Sequence, residues 1–361
     1  MLGISVYPEK SHKQEIINYI NLASKYGFKR VFTCLLSVKD SKEKIAEDFK
    51  EIINAARKNN MEVILDIAPN VFDDLKISYD DLSFFNELGA TGIRLDIGFD
   101  GLKESQLTFN KFGLEIEINM SSGTKYVDNI MSYKPNKKKL IGSHNFYPMR
   151  YSGLSLEHFL KCCKQFKDYG LRTAAFVSSN VALDGPWPIM DGLCSLEMHR
   201  DLPISSQVKH LMMIDDLDDI IIANSFASED ELKSISELKN FLELKIIFNK
   251  EATELEKKIV LDEEHFNRGD ISDYLIRSTQ PRITYKENNF EPSFTPDLIK
   301  KGYITIGNND FGQYKGELHL AKKDHSNDKK RKNVVAKVSD EEIFLLDLIP
   351  PWSKFGFTIK K

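Results

Sequence analysis

Two short stretches hold the residue types best suited to chemistry. In Gly92-Ile-Arg-Leu-Asp-Ile-Gly98, Arg94 and Asp96 alternate with Ile93, Leu95 and Ile97. In Gly113-Leu-Glu-Ile-Glu-Ile-Asn119, Glu115, Glu117 and Asn119 alternate with Leu114, Ile116 and Ile118. A two-residue period is that of a β-strand, whose side chains point to opposite faces in turn. Two consecutive strands with charges on a common face need a polar interior to receive them. Acids at adjacent strand ends could then share general acid and base work at a single bond.

The elements around these strands supply such an interior. Short apolar strands are expected at 2–7, 30–34, 62–67, 92–97, 114–119, 140–145, 173–178 and 220–224. Amphipathic stretches such as 13–26, 42–59 and 156–169 lie between them, the last stopped by Gly170. Parallel strands need helical crossovers, so eight strands each followed by a helix give an α/β chain with a (β/α)8 TIM barrel. An open doubly wound sheet is the competitor, but no GxGxxG or Walker loop supports a nucleotide fold. The catalytic barrel is expected over residues 1–240. Residues 241–256 read as a linker or connecting strand, and 257–361 as a small β domain with strand-like runs at 283–285, 303–307, 317–320, 333–338 and 343–348. The basic run 322–332 reads as a solvated hairpin loop.

With 361 residues, 41% hydrophobic and 29% charged, the chain can bury a full core. A net charge of -4 gives no case for nucleic acid or an anionic membrane as partner. The start, Met-Leu-Gly-Ile-Ser-Val-Tyr-Pro, enters a strand with no basic leader, and no long apolar run follows, so a cytoplasmic protein is expected. Cys34, Cys162, Cys163 and Cys194 form no CxxC pair and read as reduced, buried thiols. No cofactor is called for, and the oligomeric state is left open.

In a barrel the active site lies at the C-terminal strand ends. Those positions hold Ser5, Tyr7, Thr33, Asp66, Arg94, Asp96, Glu117, Asn119, His144, Asn145 and Tyr147, followed by Ser178, Ser179, Asn180 and Asn224. A mouth so rich in acids, amides and hydroxyls suits a sugar or another polyhydroxyl ligand. Glu117 is the leading catalytic candidate and Asp96 the second, while the deeper Glu115 is expected to neutralise Arg94. Arg94 itself is equally well placed as half of a structural ion pair. Trp187, between prolines in a long loop, could stack on a sugar. In the second domain Arg277, Ser278 and Arg282 offer guanidinium forks and hydroxyls for an oxyanion. The alternative is a metal-dependent phosphosugar isomerase or lyase, with Asp66, Asp96, Glu117 and His144 as metal ligands. A pyridoxal-phosphate racemase is disfavoured, because Ser5-Val-Tyr7 at the first strand brings no lysine.

Several motifs then carry a resemblance. GISVYP, GFKRVFTCLL, GIRLDIGFDG, EIEINMSSG, GSHNFYP, GPWPIMDGL with SLEMHRDLP, and IRSTQPR span nearly the whole chain. Together they make the chain similar to the bacterial 6-phospho-N-acetylmuramidases, a glycoside hydrolase family. The resemblance implies a TIM barrel followed by a cyclophilin-like β domain. It also implies hydrolysis of the β-1,4 bond of N-acetylmuramic acid 6-phosphate–N-acetylglucosamine, a phosphorylated amino-sugar disaccharide of cytoplasmic peptidoglycan recycling. The chain departs from the family pattern at Cys194-Ser195, where Pro-Thr is expected, and at Tyr303, where Asp is usual. On this reading Asp96 and Glu117 are the two acids of the glycosidase, or Glu117 is the acid and Asp96 orients the 2-acetamido group for neighbouring-group participation, and Arg277, Ser278 and Arg282 hold the phosphate or the lactyl carboxylate.

Overall fold

The computed structural model describes residues 1–35, 42–67 and 77–360. The chain forms two compact units, Met1–Glu237 and Leu238–Lys361. In the first, β1 (Leu2–Val6), β2 (Arg30–Leu35), β3 (Glu62–Ile67), β4 (Gly92–Leu95), β5 (Glu115–Asn119), β6 (Leu140–Ser143), β7 (Arg172–Val177) and β8 (Asp219–Ile222) close into a barrel in chain order. All eight pairings are parallel, β8 returning to β1 through Leu2 opposite Ile220. This is a TIM barrel.

The strand alternation decides what lies inside. Ile4, Val6, Val31, Val63, Leu65, Ile93, Leu95, Ile116 and Ile118 are all buried, and they form the phase opposite to the charged residues. Helix Leu156–Lys167 shows how the outer layer is written in sequence. Ser155 caps it by accepting the His158 N–H, and Phe159, Cys162, Cys163 and Phe166 form one buried stripe at i, i+3, i+4 and i+7. Gly170 ends the segment with a φ of 72°, a left-handed conformation suited to glycine. All four cysteines are buried and unpaired. No helix among the described residues is long and apolar enough to cross a membrane.

The second unit is mostly sheet. Its seven strands run in the order β10-β17-β9-β16-β13-β14-β11, where β9 is Leu242–Phe248, β10 His265–Phe266, β11 Leu275–Ser278, β13 Tyr303–Gly307, β14 Leu318–Ala321, β16 Lys332–Val338 and β17 Lys354–Ile359. The Arg268 N–H donates to the Arg277 carbonyl at 3.0 Å, drawing the two edges together into a nearly closed sheet. Segment 241–256, read from sequence as a linker or connecting strand, contributes β9 to the middle of this sheet, parallel to β17 and antiparallel to β16. Its alternation of Leu242, Leu244 and Ile246 with Glu243 and Lys245 is that of a strand with one buried face.

Two runs expected as strands are helical. Residues 283–285 fall in and after helix Gln280–Thr284, which has a proline in its first turn. Residues 343–348 fall in a 3-10 segment, Asp340–Leu348, with three acids at its start. The basic run holds β15 (His325–Ser326), paired with β12 (Leu298–Ile299).

Gly92 opens β4 in the inward phase. A Cβ there would meet Ile64 Cδ1 at 2.7 Å, the Glu115 carbonyl oxygen at 2.8 Å and Glu115 Cβ at 2.9 Å. Backbone on one side leaves no room to yield, so Gly92→Ala is expected to lower stability by about 1–3 kcal/mol. The midpoint of urea unfolding checks this; an unchanged midpoint would show that the barrel floor is looser than these contacts require.

Candidate active site

The inward positions of the barrel carry a ladder of alternating charge. At the N-terminal end Arg172 reaches Glu62 at 2.7 Å, Asp219 at 2.8 Å and Glu115 at 3.8 Å. Arg30, fully buried, joins Asp219 to Glu117. Arg94 takes the other oxygen of Glu117 at 3.1 Å and donates to Ser143 Oγ at 2.8 Å and to Asn145 Oδ1. Removing an ion from water costs several kcal/mol, so each charge in this ladder depends on its neighbours of opposite sign.

Above the ladder, Asp66 ends the polar face of β3, in register with Arg94 on one side and Cys34 on the other. Its Oδ1 is buried and has no hydrogen-bond partner among the described residues. Burial raises the carboxyl from 3.8 to about 7; Arg94 opposes the rise, and Asp96 and Glu117 add to it. Burial also raises the Cys34 thiol and the Tyr79 phenol, and the charges of Asp66 and Asp96 push both further. These four groups therefore share one neighbourhood. Asp96 lies exposed just beyond β4. Tyr7 is buried beside them and donates its hydroxyl to the Ala223 carbonyl; burial holds its phenol well above the ordinary range.

On the side of β2, β7 and β8, Phe32, Ala174, Phe176, Leu193, Ile221 and Ala223 form an apolar cluster, with Phe146 and Met190 packed against them. Among the described residues the charged groups at the C-terminal strand ends belong to the polar half, from β3 to β6. A carboxyl titrating near neutrality beside an exposed carboxylate and a fixed guanidinium can give a proton to a leaving oxygen and stabilise positive charge at carbon.

Several expectations change. Glu117 is closed to solvent and engaged at both oxygens by Arg30 and Arg94, because it lies directly opposite Arg94 in the β4–β5 register. Glu115, expected to neutralise Arg94, sits instead by Arg172 at the other end of the barrel. Cys34 rather than Thr33 shares the inward phase of β2. His144 follows the inward Ser143 and so turns outward. Its Nδ1 lies 3.2 Å from Ser121 Oγ, its Nε2 3.4 Å from Cys163 Sγ, and its ring stacks on Phe159. Burial lowers this imidazole to about 3, which keeps it neutral.

A metal cluster of Asp66, Asp96, Glu117 and His144 does not assemble, and among the described residues no three His, Cys, Asp or Glu side chains converge on a metal position. Ser5 is buried in the inward phase opposite Phe32. Asn119 Oδ1 accepts the Ser121 N–H at 2.8 Å, while Asn145 accepts from Arg94. The backbone of Tyr147 bridges Cys194 and accepts from Arg200, making it part of the loop framework. Trp187 is 48% exposed.

In the second unit Arg277 and Arg282 converge on the buried Glu317, at 2.7 and 2.6 Å. Ser278, one residue along β11, faces the other way and lies 2.9 Å from His265 Nδ1. Sequence reasoning missed Arg30, Tyr79 and Glu317. Arg30 carried a signal: it opens an otherwise apolar strand in the same phase as Phe32 and Cys34.

Arg30→Met would leave Glu117 and Asp219 each short of a buried partner. A loss of about 3–5 kcal/mol is expected in urea unfolding, with Glu117→Gln on that background restoring part of it. Independent, additive losses would mean that the two side chains are not coupled.

The sequence model described as 6-phospho-N-acetylmuramidase, N-terminal, matches residues 2–237, and the one described as 6-phospho-N-acetylmuramidase, C-terminal, matches residues 242–358. No curated protein matches the chain. An uncharacterized B. cereus protein of known crystal structure is 50% identical, with a TM-score of 0.92 and 99% of each chain covered. A conserved Enterococcus faecalis protein of unknown function is 24% identical, with a TM-score of 0.76, covering 100% of this chain and 96% of its own; it shows the shared fold.

Proposed function

The chain belongs to the 6-phospho-N-acetylmuramidase family, a family of glycosidases, and from that premise we propose that it hydrolyses the β-1,4 bond of N-acetylmuramic acid 6-phosphate–N-acetylglucosamine during peptidoglycan recycling. The observation that carries the reading is the family match across both units, joined to a pair of acids at one strand-end neighbourhood of the barrel. The four unpaired, buried cysteines fit a reducing compartment, in keeping with a cytoplasmic enzyme.

The geometry supports a different division of labour from the sequence-based one. Asp66, with a carboxyl raised to about 7, is the general acid that protonates the glycosidic oxygen. Asp96, exposed at the mouth, stabilises the oxocarbenium-like centre. Glu117 acts through Arg94, which it holds beside Asp66 with the help of Ser143 and Asn145. The amides and hydroxyls of the polar half, Asn119 and Asn145 among them, bind the sugar hydroxyls.

Release of N-acetylglucosamine from the phosphorylated disaccharide tests the reading, with the unphosphorylated disaccharide as control. No release from the phosphorylated form would sink it. Asp66→Asn is expected to lower kcat by about 10²–10⁴-fold on the disaccharide. An aryl glycoside whose leaving group needs no proton should lose much less.

The wild-type rate should fall as pH rises through about 7, where Asp66 gives up its proton. Stability has the same sign. The folded carboxyl binds its proton more tightly than the unfolded one, so this group's contribution is fullest below about pH 4 and is lost between there and about 7. Asp66→Asn should therefore be more stable than wild type at pH 8, with the difference shrinking toward pH 4. A variant less stable than wild type at pH 8 would contradict the buried, unpaired carboxyl.

A further inference from the structure

The second unit carries a cluster that the barrel chemistry does not use. On one face of its sheet Arg277 of β11 stands opposite His319 of β14. Lys332 of β16 stands opposite Gly307 of β13, whose N–H donates to the Glu317 carbonyl at 3.0 Å. Arg277, Glu317, His319 and Lys332 thus occupy neighbouring positions of one face, and Arg282 reaches the same Glu317 from helix Gln280–Thr284. Gly307 leaves room for segment Asn309–Tyr314, since a Cβ there would strike the Tyr314 carbonyl. That segment brings Tyr314 within 5.9 Å of the Arg277 guanidinium and 5.4 Å of Arg282, and Phe311 within 5.8 Å of Lys332.

The charge in this basin is unbalanced. Arg277, Arg282 and Lys332 gather around one buried carboxylate, Glu317, and both guanidinium groups retain N–H groups beyond those facing it. Asp270 approaches Arg277 only at 4.0 Å and is already held by Arg268. His319, 4% exposed, gives Nε2 to Glu317 at 3.1 Å, while its buried Nδ1 has no partner among the described residues. A buried polar atom left unpaired costs about 1–3 kcal/mol, which an anion would recover by drawing a proton onto Nδ1. The chemistry of the donors also selects the ligand. Two planar forks and an ammonium suit the terminal oxygens of a phosphate, whereas a carboxylate is satisfied by one fork.

We propose that Arg277, Arg282, Lys332 and His319 form a binding site for the phosphomonoester group of a sugar phosphate, with Glu317 holding the two arginines in place. The proposal rests on the reading of the substrate as a phosphorylated sugar, and it adds Lys332 and His319 to the arginine pair. Burial and the nearby Arg277 lower the Lys332 ammonium to about 8, against the opposing pull of Asp328 and Glu317; His325 Nε2 lies 3.5 Å away. Burial likewise lowers His319, helped by Lys332 and Arg277 and resisted by Glu317. A bound dianion would raise both, so binding near pH 8 takes up protons.

Calorimetry on the full chain with glucose 6-phosphate, glucose and glucuronate tests the site without any hydrolysis. Glucose 6-phosphate should bind and glucose should not. Arg277→Ala and Lys332→Ala should each weaken binding about tenfold or more, the loss of one charge-assisted hydrogen bond. Lys332→Arg, which keeps charge and bulk, should bind as wild type but show less proton uptake at pH 8 when buffers of different ionisation enthalpy are compared. Wild type that binds no glucose 6-phosphate at millimolar concentration, or binding untouched by both alanine variants in folded protein, would overturn the site. Glucuronate bound as tightly as glucose 6-phosphate would overturn the assignment to a phosphomonoester. Hydrolysis of the phosphorylated disaccharide with no such binding would remove this site and leave the enzymatic reading standing. Binding without hydrolysis would do the reverse.

Discussion

The barrel depends on one constraint: five acids and arginines on its inner face, all buried but the half-exposed Arg172, must each meet an opposite charge. Arg172, Asp219, Arg30, Glu117 and Arg94 meet it by alternating in sign from the floor of the barrel to its mouth. Such a ladder is weak grounds for stability, because apolar residues of the same volume would pack as well without the desolvation cost. Its value lies in geometry. It fixes the Arg94 guanidinium at the top of the ladder from three sides, through Glu117, Ser143 and Asn145, before any ligand arrives. Small inward residues make room for it, Gly3 and Gly92 among them, where a Cβ would crowd the adjoining strands.

The same ladder explains why Asp66 differs from its neighbours. Arg94 is in register with both Asp66 and Glu117, but its hydrogen bonds go to Glu117 and the β6 side. Asp66 is left half-buried, its Oδ1 closed off without a partner among the described residues, attracted by one guanidinium and repelled by Asp96 and Glu117. Glu117 is paired and Asp66 has no partner among the described residues, and such a separation of environments lets neighbouring carboxyls hold their protons differently. The cost is borne by the fold, as is usual where function requires an unsatisfied group.

What was legible in the sequence follows from which signals are local. Eight barrel strands stood out as short apolar runs, those at 92–97 and 114–119 with a two-residue alternation of apolar and polar residues, and the helix stripe of Phe159, Cys162, Cys163 and Phe166 in the longer helical period. Partnership was not local. Glu115 and Glu117 are equivalent in pattern, and only the β4–β5 register, which sets Glu117 against Arg94, tells the ion-pair residue from the floor residue. His144 looked available because GSHNFYP ends a strand, yet a one-residue phase difference from Ser143 turns it into the helix layer. Ser278 failed for the same reason beside Arg277. Segment 241–256 left linker and connecting strand both open because charged and apolar residues alternate in it, although a strand with one buried face has that pattern.

The two units solve their charge problems in opposite ways. In the barrel the acids and arginines alternate, and the guanidinium left at the end is held in place but closely matched. In the second unit one carboxylate, Glu317, supports two arginines, with Lys332 and His319 nearby and no further acid in hydrogen-bond contact among the described residues. A matched ladder orients a catalytic group; an unmatched cluster attracts a ligand of the missing sign. Lys332 and His319 both hold their protons less tightly than free lysine and histidine do, chiefly because they are buried, with the neighbouring cations adding to the effect. Their proton affinity is linked to any anion that completes the cluster, so in the proposed site the charge excess and the pH dependence of occupancy have one origin.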